Sequence, residues 1–112
     1  MFAQQYRLDR ATFARVYKYG RRVHMPGFVL IYATAQAYAC AAVVGKKVAP
    51  SAVARNTLRR RLYEALFEAG ADTGHIIVIA KPPARGYSYA RLLAEVTEVL
   101  QKVRVGIVAH SR

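Results

Sequence analysis

Between residues 43 and 63 every ionised side chain is positive. Lys46 and Lys47 come first, Arg55, Arg59, Arg60 and Arg61 follow, and the next acid is Glu64. The same span carries a helical apolar pattern. At about 100° per residue, Ala54, Leu58, Leu62, Ala65, Leu66 and Ala69 form one stripe of a helix over 52–69. Asn56, Arg59, Arg60 and Tyr63 fall on a different side, and Arg61 flanks the stripe on its opposite edge. Ser51 is placed to cap the start and Gly70 to mark the end. One side of this helix therefore belongs to a core, while the other concentrates like charge. Like charges repel and destabilise a compact state, and cations in the first turns oppose the helix macrodipole. Both costs are relieved by an external polyanion.

The rest of the composition sharpens that reading. The 112 residues suit a single domain over 1–112. A hydrophobic fraction of 54% supports a packed core rather than a disordered chain. Eighteen Lys and Arg against six Asp and Glu give a net charge of +12 and a pI near 10.5. Nucleic acid is the first partner that such a balance suggests, and an anionic membrane surface the second. No apolar run approaches the ~20 residues of a spanning helix, and residues 1–10 lack the apolar centre of a signal peptide. The reading is thus a cytoplasmic protein with no membrane partner. The single cysteine, Cys40, rules out an internal disulfide and a Cys-based metal site; it reads as a small buried residue of a strand.

Taken in order, residues 6–19 read as a first helix. Asp9 is a cap, Phe13, Val16 and Tyr17 share one face, and Gly20 closes the element. Residues 28–34 alternate Phe28, Leu30 and Tyr32 against Val29, Ile31 and Ala33. A second strand over 38–45 follows a short link, which suggests an antiparallel hairpin; a brief extra strand fits residues 22–24. After the basic helix, residues 75–80 have the length and apolarity of a buried strand, ended by Pro82 and Pro83. Ser88 can cap a last helix with Leu92, Leu93, Val96, Val99, Leu100 and Val103 on its core face. Glu95, Glu98 and Lys102 are expected in water, and residues 104–112 as a packed extension. The order α-β-β-β-α-β-α describes an α/β (α+β) two-layer sandwich on a small mixed sheet.

The ordered set of motifs resembles the bacterial ribonuclease P protein component. The residues that carry the resemblance are Lys46-Lys47, then Arg55-Asn56-Thr57-Leu58-Arg59-Arg60 in a helix. Upstream, the run from Phe13 through Arg21, Arg22 and Val23 looks like the family's first helix and its exit. The strands at 28–33 and 76–81 and the helix at 89–103 also fit, so the likeness spans residues 6–103. Thr57 stands where the family signature has a second arginine, Tyr63 where another basic residue is common, and the turn at 49–51 lacks the glycine often found there.

The resemblance implies a ribosomal S5 domain 2-like fold with a left-handed βαβ crossover. It implies binding to ribonuclease P RNA, one protein per RNA, and to the 5′ leader of precursor tRNA. Cleavage chemistry would be carried by the RNA and its Mg2+ ions, with no cofactor bound by the protein. Lys46, Lys47, Arg55, Asn56, Arg59, Arg60 and Arg61 would serve the RNA subunit, and Phe13, Tyr17 and Tyr32 would line the leader cleft. By periodicity alone, Phe13 and Tyr17 read as core more readily than as a binding platform, Tyr32 divides similarly, and Asn56 could be a simple helix-start residue. His24, His75 and His110 have no ligand spacing. Neither paired carboxylates nor a glycine-rich phosphate loop is present, so no side chain here is expected to perform chemistry by itself. The alternative reading is a small basic ribosomal-type protein that binds rRNA structurally.

Overall fold

A computed structural model describes residues 7–110, with side-chain surroundings as far as residue 103. The elements are α1 (Arg10–Tyr19), β1 (Arg21–His24), β2 (Phe28–Ala33), β3 (Ala39–Val43), α2 (Ala52–Glu68), β4 (His75–Ala80) and α3 (Tyr89–His110), with a 3-10 turn at Pro82–Gly86 before the last helix. The expected order is therefore present. The local capping signals also hold. Asp9 Oδ1 accepts from the Thr12 amide at 2.8 Å, so α1 begins at Arg10; Tyr6 lies outside the described residues. Ser51 Oγ accepts from the Ala54 amide at 3.0 Å at the head of α2.

The ends of α1 and α2 use glycine for different reasons. Gly70 has φ +84°, the left-handed conformation that glycine adopts without a side-chain clash. Its amide donates to Phe67 O at 3.1 Å and that of Ala71 to Leu66 O at 3.0 Å, which closes the open carbonyls of α2. Gly20 is extended instead. A Cβ there would stand 2.6 Å from Val16 O and 2.8 Å from Ile31 Cγ2. The glycine is required by close approach of α1 to the sheet.

The sheet order is β1-β2-β4-β3. β1 and β2 form the antiparallel hairpin, with Arg21 opposite Tyr32 and His24 opposite Val29. The hairpin expected between β2 and β3 does not form. β4 lies between them, antiparallel to β2 and parallel to β3. The cause is legible after the fact. Residues 34–38 are longer than the two-residue links of the tightest hairpins and can step across one strand. β4, apolar on both faces, takes the centre. β3, α2 and β4 are thus a βαβ unit whose strands are neighbours.

Strand alternation divides the core in two. Phe28, Leu30, Tyr32, Cys40, Ala42, Ile76 and Val78 face α2 and α3, where they meet Leu58, Leu62, Leu66, Leu92, Val96 and Val99. Ile31 and Ile77 face the other way and meet Val16 of α1. No polar or charged side chain is among the buried residues described. Glu95, expected in water, is turned inward: its side chain is only 13% exposed, it pairs with Arg91, and it accepts from the Gly27 amide at 3.1 Å. Glu98 and Lys102 are exposed and paired, as expected of an i, i+4 pair on an outer face.

Candidate nucleic-acid interface

The basic side of α2 is not covered by the other described residues. Leu58, Leu62, Ala65 and Leu66 turn inward, while Lys46, Lys47, Asn56, Arg60 and Arg61 are exposed and Arg55 and Arg59 half-exposed. Among the described residues the ion pairs are Arg91–Glu95 and Lys102–Glu98, neither of which touches the basic stretch. Its charge is therefore left for solvent or a ligand.

The predicted residues are not equivalent. Arg55 is turned back: its guanidinium donates to Ala49 O at 3.1 Å and Pro50 O at 2.8 Å. It fastens to α2 the segment that follows Lys46 and Lys47, which makes it a positioning residue. Arg59 donates to Asn56 Oδ1, so these two form one polar unit beside Arg60. Arg61 stands apart on the other edge of the apolar stripe. Thr57 donates to Val53 O at 3.0 Å, which satisfies its hydroxyl within the helix and adds no charge to the surface. Tyr63, where a basic residue was the expectation, donates no charge either. Its hydroxyl accepts from the Ala42 amide at 3.1 Å, and the Arg7 guanidinium lies 5.2 Å from its ring centre. Arg7 thereby joins the basic surface from a distant point in the chain, which no local pattern could reveal.

A second surface lies on the opposite side of the sheet. α1 packs over β2 and β4 through Val16, but Val29, Ala33, Ala41, Val43 and Ile79 around it are only partly buried. Phe13 and Tyr17 stack with ring centres 6.2 Å apart and planes 14° apart. Tyr17 is 48% exposed, and the Arg22 guanidinium sits 4.8 Å from its ring centre while donating to Tyr17 O at 2.6 Å. The result is a cleft edge of two aromatic rings and a guanidinium above an apolar floor. Tyr32 is corrected here. It is 9% exposed and points into the core shared with α2 and α3, so it cannot line a cleft with Phe13 and Tyr17. Even and odd positions of β2 face opposite ways; Val29, Ile31 and Ala33 are its residues on the α1 side. Arg22, which the sequence offered only as extra charge, takes its place beside Tyr17.

Burial raises two phenols and the thiol. Cys40 is pushed up to about 11, chiefly by burial. Tyr89 is pushed up to about 12, by burial first and then by its 2.6 Å hydrogen bond to Glu68 Oε2. Tyr38 is raised, again mainly by burial. None of these groups is made more reactive near neutral pH. The described residues contain no group of three or more His, Cys, Asp or Glu able to hold a metal ion.

A cationic helix face, an aromatic cleft edge and a βαβ unit within a four-stranded mixed sheet describe a small basic α/β protein, and comparison with known proteins places it. A family model described as Ribonuclease P matches residues 2–104. The chain is 36% identical over 98 residues to the ribonuclease P protein component of Nitratiruptor, covering 85% of this chain and 88% of that one. It is 43% identical over 60 residues to the component from Thermus brockianus, where the match spans 54% of this chain but only 36% of the relative's length. Among solved structures, the Staphylococcus aureus RNase P protein superposes with a TM-score of 0.78 at 28% identity, covering 89% of this chain and 96% of that one. The Thermotoga maritima RNase P protein shares the fold, with a TM-score of 0.75 at 20% identity over 86% of this chain and 96% of that one. The chain belongs to the ribonuclease P protein family.

Proposed function

We propose that this protein is the RNA-binding subunit of a ribonuclease P, holding the catalytic RNA on the outer face of α2 and the 5′ leader of precursor tRNA in the cleft beside α1. The observation that carries the reading is the α2 face. It leaves Asn56, Arg59 and Arg60 open to solvent, with no ion pair among the described residues to neutralise them. Arginine forks match phosphate oxygens bidentately, so this face suits a folded RNA backbone. Lys46 and Lys47 extend it, and Arg61 offers charge on the adjoining edge.

The cleft suits a different ligand. Aromatic faces stack on unpaired bases with little sequence preference, and Phe13, Tyr17 and Arg22 supply that chemistry to a leader of variable sequence. In this reading the chain supplies binding and orientation, and bond cleavage belongs to the RNA subunit and its Mg2+ ions. No described helix is long and apolar enough to cross a membrane. Family membership favours this reading over a ribosomal-type rRNA-binding protein.

The test adds the protein to ribonuclease P RNA at low magnesium and follows precursor-tRNA cleavage. The protein should stimulate cleavage, and Tyr17→Ala should weaken binding of long-leader substrates more than leaderless tRNA. Absence of stimulation refutes the assignment, and equal losses on both substrates return Tyr17 to a structural role.

A further inference from the structure

The outer face of α2 carries more than cations. Asn56, Arg60, Tyr63 and Phe67 recur at spacings of four, three and four, so they form one stripe along the helix. The stripe runs through a concavity of about 860 Å³ reaching from Arg7 to Tyr89. Its two ends differ in charge. Arg59 and Arg60 line the end near the start of α2, and Glu64 and Glu68 the end near its finish. Phe67 stands at the acidic end, between Glu64 and Glu68 along the helix; it is 79% exposed, the most exposed of the large hydrophobic side chains described. Tyr63 already has Arg7 over its ring, and the hydroxyl of Tyr89 is held by Glu68. Phe67 is the ring left open in this concavity.

We infer that this concavity holds one unpaired nucleotide of the bound RNA, its phosphate on Arg59 and Arg60 and its base stacked on Phe67. The inference rests on the proposed RNA-binding role of α2 and adds to it a base-holding site. Charge fixes the direction. Carboxylates at the far end repel a phosphate, so the anionic part of the ligand must lie toward the arginines and the uncharged base toward Phe67. Seven residues of helix separate Arg60 from Phe67, about 10 Å along the axis, and the flexible arginine side chain shortens that span. Phosphate contacts on Arg59 and Arg60 leave the open ring at the acidic end without a use, whereas a stacked base occupies it.

The experiment uses the full chain with labelled aromatic rings, followed by NMR. Adenosine 5′-monophosphate should shift the ring protons of Phe67, and inorganic phosphate should not. In a Tyr17→Ala background, which weakens the cleft on the other side of the sheet, Phe67→Ala should reduce affinity for a short oligoadenylate by about fivefold to a hundredfold, the range for one base on one aromatic ring. The loss on an abasic oligomer of equal length should be smaller. Arg59→Ala with Arg60→Ala should weaken both oligomers. A Phe67 ring unmoved by the nucleotide, or Phe67→Ala binding oligoadenylate like its parent while the arginine variant is impaired, overturns the base site alone. Indifference of both variants overturns the α2 assignment as well. Phe67 is exposed, so its loss should leave the melting temperature in place, and that control separates binding from folding.

Discussion

Replacing Arg59 and Arg60 together by alanine should change how binding responds to salt, and the structure sets the size of the change. Neither guanidinium has an ion pair among the described residues, and Arg60 is exposed. Each is taken to release one counterion set when it meets a phosphate. The slope of log K against log salt is about −0.9 per contact on a duplex and about −0.7 on a single strand. Losing two contacts should therefore flatten the slope by about 1.4 to 1.8. Between 50 and 200 mM salt, a fourfold change, the defect of the variant should shrink by about sevenfold to twelvefold. The assay is equilibrium binding of ribonuclease P RNA, by filter retention or anisotropy, across that salt range. Arg55→Ala is the internal contrast. Its guanidinium is spent on two carbonyls of the chain, so its loss should cost about 1 kcal/mol of stability, roughly 4 °C in melting temperature. Parallel salt slopes for the Arg59/Arg60 variant and the parent would refute the claim that these side chains meet phosphate.

Two further outcomes probe the core that supports both surfaces. Leu62 is wholly buried between α2 and the sheet, so Leu62→Ala should destabilise the protein by about 2–5 kcal/mol, read from the urea midpoint; a loss below 1 kcal/mol would mean that the α2 packing is wrong. Cys40 has no exposed surface and its thiol is raised from 9.0 to about 11. A raised folded value means that its contribution is intact below pH 9 and is lost as pH climbs toward 11. At pH 9 a thiol reagent should therefore label the native protein far more slowly than the urea-unfolded chain, and equal rates would contradict the burial.

The fold was legible where local chemistry decides it and obscure where the chain meets itself at a distance. Asp9, Ser51 and Ser88 mark helix starts through short polar side chains that accept from backbone amides three residues on, and the apolar stripes of α2 and α3 name their own buried faces. Strand partnership is another matter. The alternation of β2 shows which residues share a face, yet not that β4, more than forty positions downstream, separates β2 from β3. The same limit governs the site. Charge density marked Arg59 and Arg60 directly, whereas Arg7 reaches Tyr63 only through tertiary structure. The family resemblance sets Tyr32 in the cleft, although the two-residue period of β2 places it opposite Val29, Ile31 and Ala33. Phe67 carries a weak signal in the sequence: it falls outside the apolar stripe of its own helix, on the stripe of Asn56, Arg60 and Tyr63.

The unequal covering of the sheet explains how one small domain can present two separate surfaces. α2 and α3 pack against each other and close one face of the sheet, so α2 keeps its inward stripe in the core and its cations outside. Among the described residues the other face receives α1, whose ten residues span about 15 Å, and Leu8 just ahead of it. That is enough to seal Ile31 and Ile77 but not the neighbouring Val29, Ala41, Val43 and Ile79, which remain half-open. Had a second helix covered that face, the sheet would be better buried and the cleft would be gone. The cleft is thus a consequence of chain economy: hydrophobic area left partly exposed on one side, where an aromatic pair and Arg22 rim it, and charge left unpaired on the other. The sheet stands between the two, so in the proposed reading a single strand in the cleft and a folded RNA on α2 do not compete for the same side chains.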